Sequence, residues 1–164
     1  MAQVFLGMSG GVDSSAAAVL LQEQGYAVSG LHLSLLNGLP LPADRLPDDG
    51  SDARAVASLL GLPFYDMDLS PEFRATVIDY FIREYEAGRT PNPCVFCNRR
   101  IKFGAMWDAA QKLGADYLAT GHYAKIRQDP ATGRHLLCRG ADPSKDQSYF
   151  LCRLTQEQLS RTLF

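Results

Sequence analysis

The stretch MSGGVDSSAAAVLL, Met8 to Leu21, places two glycines between a serine and an aspartate, and an apolar run, Val4 to Leu6, stands just ahead of it. The apolar residues Val4–Met8, ending at turn residues, predict a buried strand. The alanines and leucines from Val12 to Gln24 predict a helix, with Gly25 placed to cap it. A glycine-rich turn between a first strand and a first helix is where an open α/β sheet binds its ligand, beyond the carboxyl ends of the strands. Glycine lets backbone N–H groups close on an anion, and the helix behind it adds a positive dipole end. The string therefore predicts a phosphate-binding turn. It is not the usual P-loop, because the Gly-Lys-Ser/Thr ending is missing and with it the lysine that reaches the outer phosphates; the G-x-G-x-x-G of dinucleotide sites is missing too.

Working outward, Ala27–Leu33 mixes branched and apolar residues like a second strand, and Leu36–Ser51, rich in proline and aspartate, reads as a long surface loop. Asp52–Leu60 is helical in pattern and is followed by a third strand at Phe64–Asp68. Ser70 as N-cap and Pro71 in the first turn predict a helix whose Phe73, Val77, Tyr80 and Phe81 keep helical spacing up to Gly88. After the segment Arg89–Asn98 comes a helix to Leu113, then a strand at Tyr117–Thr120, then a hairpin across Asp129–Gly133. Thr155 and Gln158 form a capping-box pattern. Alternation of this kind predicts an open parallel sheet with helices on both faces. We expect a nucleotide-binding domain over 1–140 and the start of a connection over 141–164.

The chain has 164 residues, 46% apolar and 21% charged, which is ordinary for a globular domain that buries roughly two thirds of its unfolded surface. Its net charge of −2 gives no argument for a polyanionic partner. Arg99, Arg100 and Lys102 gather locally, as do Lys125, Arg127, Arg134 and Arg139, and charge alone reads both groups as solvated surface. No run approaches the roughly 20 apolar residues of a membrane span, and the start lacks the basic residues of a secretory signal. No membrane association and a cytoplasmic location are expected. Four cysteines, Cys94, Cys97, Cys138 and Cys152, then point to thiol chemistry or metal.

The string SGGVDSS resembles the PP-loop of the adenine nucleotide α-hydrolase-like enzymes, which cut ATP between its α and β phosphates and deliver AMP to a substrate oxygen. GRTPNPCVFCNRRIKFG (Gly88–Gly104), LGADYLATGHYAKI (Leu113–Ile126) and KDQSYFL (Lys145–Leu151) look like the tRNA-specific 2-thiouridylase family, which replaces O2 of the wobble uridine of tRNA with sulfur. The resemblance covers nearly the whole chain. It implies that Gly7, Met8, Ser9, Gly10, Gly11, Val12, Asp13 and Ser14 hold ATP, with Leu33 and Gly121 on the adenosine side and Mg²⁺ offsetting the phosphate charge. It implies that Asn92, Pro93 and Cys94 meet the target base, and that Lys145, Asp146 and Gln147 form a second tRNA contact. Cys97 matches the family's nucleophile, or the disulfide partner of a persulfide-carrying cysteine further on, with sulfur brought by a donor protein.

The bland counterparts are an inert buried thiol at Cys97, a turn-satisfying His122 and a solvated helix start at Lys145–Gln147. The prolines and basic residues beside Cys97 favour a lowered thiol pKa. Cys94 stands where many family members have aspartate, a candidate general acid or base, and the change creates Cys-x-x-Cys. That spacing suits a redox pair, or half of a zinc or iron–sulfur site. The family's members are longer than this chain, and their second active cysteine lies beyond Phe164, so the chain is expected to bind ATP and to thiolate tRNA poorly or not at all. Competing readings are a PP-loop ligase that adenylates a carboxylate, and a non-catalytic nucleotide-binding module with a structural metal at Cys94 and Cys97.

Overall fold

The computed structural model describes residues 1–39 and 49–164. Five parallel strands, β1 (Gln3–Gly7), β2 (Ala27–Ser34), β3 (Phe64–Asp68), β4 (Tyr117–Thr120) and β7 (Thr162–Leu163), form one sheet in the order β3-β2-β1-β4-β7. An antiparallel pair, β5 (Ala124–Gln128) and β6 (His135–Arg139), forms the expected hairpin. The chain runs from β1 outward through β2 and β3, then returns to lay β4 on the other side of β1. The order reverses at that point, and the register pairs Gly7 with Leu31 on one side and Thr120 on the other. A ligand crevice therefore opens above Gly7 and Thr120.

Alternation along the strands sends their side chains to two cores. Phe5, Leu31 and Leu118 pack with Val77, Ile101, Phe103 and Met106 on one face, while Val4, Leu6, Val28 and Ala119 pack with Ala18, Leu21, Ala53 and Ala57 on the other. Helices α1 (Val12–Glu23) and α2 (Ser51–Leu59) cover the second face, so helices lie on both faces as expected. Gly25, at φ +84°, closes α1, with the Tyr26 amide reaching back to the Leu21 carbonyl. Of the predicted loop Leu36–Ser51, positions 40–48 lie outside the described residues.

Two sequence readings change. The helix of the first face begins at Ser70, but Ser70 is its first residue rather than its cap: its hydroxyl donates to the Ser34 carbonyl, and its own amide donates to Asp68. The carboxylate two residues earlier has taken the capping role. That helix then passes from α3 (Ser70–Phe73) through a π-helical turn, Arg74–Ile78, into α4 (Asp79–Glu86). The next helix starts at Pro93, inside the segment read as non-helical, because Asn92 accepts the Val95 amide and proline suits a first helical position. It runs as α5 (Pro93–Cys97), a π-helical segment Asn98–Ala105, and α6 (Met106–Lys112). Beyond residue 140, Leu151 packs into the first core, Leu159 is buried, and β7 joins the sheet beside β4.

The capping box of α7 (Gln156–Ser160) is present, and its glutamine does more than cap. Gln158 accepts the Thr155 amide and donates its side-chain amide to the carbonyls of Arg99 at 3.0 Å and Phe103 at 2.7 Å. A π-helical turn widens the backbone ladder, and Gln158 ties down two of its carbonyls. Gln158→Leu, similar in size and unable to donate, is expected to lower stability by about 1–3 kcal/mol. A urea unfolding midpoint equal to that of the parent chain would contradict this.

Candidate active site: a nucleotide loop and a cysteine pocket

Above the crevice, the turn after β1 is held by its own serines. The Ser14 hydroxyl donates to the Gly11 carbonyl at 3.0 Å and accepts the Ser9 amide at 3.4 Å. Ser15 is the first intrahelical donor, bonding the Gly11 carbonyl at 3.1 Å. The amides of Val12, Asp13 and Ser14 stand ahead of it, where no helical carbonyl takes them, and with the dipole behind them they form an anion site. Gly121, after β4, comes against this turn: a Cβ there would lie 3.1 Å from both the Asp13 carbonyl carbon and the Ser14 nitrogen. Tyr123 then reaches over the loop, its hydroxyl donating to Asp13 at 2.7 Å.

A cavity of about 270 Å³ lies under the loop, walled by Gly7–Ser9, Asp13 and Ser14 on one side and by Leu33 and Leu35 on another. Thr120, Gly121, His122, Lys102 and Gln147 complete it together with Leu31 and Met106. Gly7, Met8, Ser9, Asp13, Ser14, Leu33 and Gly121, which the resemblance assigns to ATP, thus line one cavity. Gly10, Gly11 and Val12 form the crest of the turn instead, with Val12 exposed. Mg²⁺ binds through one or two carboxylates together with substrate phosphates, and Asp13 is the carboxylate among the described residues that line this cavity.

A second cavity, about 240 Å³, is lined by Cys94, Cys97, Asn98, Lys102, His122, Gln147 and Phe150. Lys102, His122 and Gln147 therefore belong to both cavities and form the wall between them. Gln147 is fixed there by a two-way pairing with Tyr123: its side-chain oxygen accepts the Tyr123 backbone amide at 2.9 Å, and its backbone N–H donates to the Tyr123 carbonyl at 2.9 Å. Of its sequence neighbours, Lys145 is exposed, and Asp146 accepts the amides of Gly140 and Ser148. Asn92 and Pro93 sit half-buried at the helix start and line neither cavity.

Two side chains here escaped the sequence reading. Asn98 donates to the Phe150 carbonyl at 3.1 Å, which fixes which way its amide faces, and its buried oxygen has no hydrogen-bond partner among the described residues. Lys102, grouped by charge with solvated residues, is half-buried in the shared wall. The expected lowering of the Cys97 pKa is reversed. Burial pushes the thiol above its ordinary value, Lys102 only partly offsets it, and Cys94 adds to the rise. All four cysteines are free thiols, and Cys138 and Cys152 line neither cavity. Among the described residues no group of three His, Cys, Asp or Glu comes together to hold a metal, so Cys94 and Cys97 do not by themselves furnish a zinc or iron–sulfur site.

His122 lines both cavities, and its Nδ1 pairs with the Thr120 hydroxyl at 2.7 Å. Burial, with the Lys102 charge adding to it, lowers its pKa from 6.5 to about 4. The folded chain then stays neutral at His122 while the unfolded chain protonates, so this contribution to stability is present above pH 6.5 and is lost as pH falls toward 4. Proton NMR titration is expected to find the His122 ring neutral at pH 5.5; a midpoint near 6.5 would contradict the burial account.

No described helix is long and apolar enough to cross a membrane. The chain matches the tRNA methyl transferase HUP domain family over residues 2–164. A tRNA-specific 2-thiouridylase MnmA of Christiangramia forsetii is 51% identical over 169 residues, which cover 100% of this chain and 43% of that relative. The protein of the same name from Moorella thermoacetica is 52% identical over 166 residues, 95% of this chain and 45% of the relative. The chain therefore spans under half the length of these curated relatives. Among solved structures, the U34-tRNA thiolase NcsA from Methanococcus maripaludis, with its 4Fe–4S cluster, aligns with 74% of this chain and 38% of its own at 25% identity and a TM-score of 0.49. On the match across almost its entire length, this chain belongs to the tRNA methyl transferase HUP domain family.

Proposed function

We propose that this chain is the nucleotide-binding and base-activating part of a tRNA-specific 2-thiouridylase. The observation that carries the reading is the shared wall: a cavity under an anion-binding turn and a cavity holding two thiols meet at Lys102, His122 and Gln147. In this reading ATP lies with its phosphates on the amides at the start of α1 and its adenosine toward Leu33 and Gly121, and Asp13 holds the Mg²⁺ that offsets phosphate charge. The wobble uridine enters from the side of Asn92, Pro93 and Cys94, with Lys145, Asp146 and Gln147 as a second contact to the tRNA. Its O2 attacks the α phosphorus, the bond to the β-phosphate oxygen breaks and pyrophosphate leaves; the oxygen, a poor leaving group as a carbonyl, can then depart as AMP. The outer sulfur of a persulfide on a further cysteine then attacks C2 and AMP leaves; the Cys97 thiolate, as nucleophile, attacks that cysteine's inner sulfur, the S–S bond to the uridine sulfur breaks to release the thiolated base, and Cys97 is left in a disulfide with that cysteine, which a thiol reductant reopens. Since neither Cys138 nor Cys152 lines a cavity, this chain alone is proposed to activate the base and to leave the sulfur step to a further cysteine and a donor protein.

The names of the 51% and 52% identical relatives support thiolation as the chemistry. A tRNA carrying 5-iodouridine at the wobble position tests the placement of the base. Irradiation is expected to cross-link it to the peptide containing Asn92–Cys97; cross-linking confined to other segments, or none at a tRNA concentration that saturates binding, overturns the reading.

A further inference from the structure

The nucleotide-binding turn lacks the lysine that P-loops use, and the fold supplies one from elsewhere. Between Ser9 and Ser14 the charged residue is Asp13, an acid. Lys102 arrives in the same cavity from the π-helical segment Asn98–Ala105, on the opposite face of the crevice. Its side chain is half-buried and makes no ion pair among the described residues. An ammonium group drawn partly out of water with no anion beside it is unfavourable unless a ligand supplies the anion. A cavity lined by the Asp13 carboxylate and asked to hold a polyphosphate also needs a cation. Among the described residues lining it, Lys102 is the one that provides a fixed positive charge, because burial keeps His122 neutral.

We propose that Lys102 is the phosphate-binding cation of the nucleotide cavity, replacing from a distant helix the lysine absent from the loop, and that from the shared wall its ammonium also faces the cysteine pocket. This rests on the ATP reading given above. Lys102 lines both cavities, so its charge acts on the Cys97 thiol and on the His122 ring in the direction a positive neighbour imposes. The π-helical register fixes the direction in which the segment points its side chains, and Gln158 holds that register through Arg99 and Phe103.

The test separates charge from shape. Binding of ATP, AMP and adenosine to the 164-residue chain in Mg²⁺ is measured by calorimetry for the parent, Lys102→Met, Lys102→Gln and Lys102→Arg. Adenosine carries no phosphate and serves as the internal control. Met and Gln are expected to weaken ATP and AMP about tenfold or more and to leave adenosine unchanged, while Arg keeps most of the affinity. The parent's ATP affinity is also expected to fall more steeply with salt than that of the Met and Gln variants, a comparison that needs only one of the two to fold. ATP affinity unchanged in the folded Met and Gln variants, or an equal loss for adenosine, overturns the assignment while the ATP reading stands. A parent chain that binds no ATP overturns both.

Discussion

Gly10→Ala is expected to lose about 2–5 kcal/mol of stability, a large share of the roughly 5–15 kcal/mol that holds a domain of this size together. Gly10 sits at φ +77°, a left-handed conformation that an alanine adopts only under strain. The space is closed as well. A Cβ would lie 2.5 Å from Cβ of Asp52, 2.8 Å from the Ala53 nitrogen and 2.9 Å from the Asp52 carbonyl carbon. Two of those atoms are backbone in the first turn of α2, so no side chain can swing away, and relief requires α2 or the nucleotide turn to move. The neighbouring glycine is the control. Gly11 has φ −73°, and a Cβ there meets only the Ser9 hydroxyl, at 3.4 Å, so Gly11→Ala is expected to change stability by no more than about 0.5 kcal/mol. Urea unfolding of the two variants checks both statements, and equal midpoints would show that the turn is not pinned against α2.

Gly121→Ala is expected to act on the ligand more than on the fold. Its Cβ would press at 3.1 Å on the Asp13 carbonyl carbon and the Ser14 nitrogen, the part of the turn that carries the free amides at the start of α1. The turn must give by a few tenths of an ångström, at a cost of about 1–3 kcal/mol in stability. Displaced amides no longer converge, and ATP affinity is expected to drop at least about tenfold, equivalent to about 1.4 kcal/mol. Adenosine affinity is expected to fall as well, because Gly121 stands on the wall of the same cavity. Calorimetry on the folded variant decides it; unchanged ATP affinity would mean that the close approach of β4 to the turn has no part in binding.

Local signals made the frame of the protein legible. A strand ending in Ser-Gly-Gly, a helix opening at Val12 and closing at Gly25, and the alternation up to Thr120 describe neighbours in sequence, and periodicity and turn chemistry report on neighbours. The failures are non-local. Ser70 has the residue type of a cap, but Asp68 reached the free amide first and Ser34 took the hydroxyl. A strand as short as Thr162–Leu163 has no periodicity to detect, and it exists because β4 offers an open edge. Lys102 looked like surface beside Arg99 and Arg100, since charge counting ignores which side of a helix a residue occupies and a π-helical turn shifts that side. The Cys97 thiol was misjudged for a related reason: basic neighbours in sequence suggested a lowered pKa, whereas burial among residues distant in the chain dominates. Gly121 is reached from sequence only through the resemblance, and its close approach to the turn after β1 is visible only in three dimensions.

The central claim is that the chain activates a base by adenylyl transfer, and the product of α-labelled ATP tests it. The chain is incubated with the labelled nucleotide, Mg²⁺ and unmodified tRNA bearing a wobble uridine, beside the folded Gly121→Ala variant. The account predicts labelled AMP, or label joined to RNA, that requires the tRNA and is strongly reduced in the variant. Labelled ADP as the product, or AMP formed equally without tRNA, would contradict it.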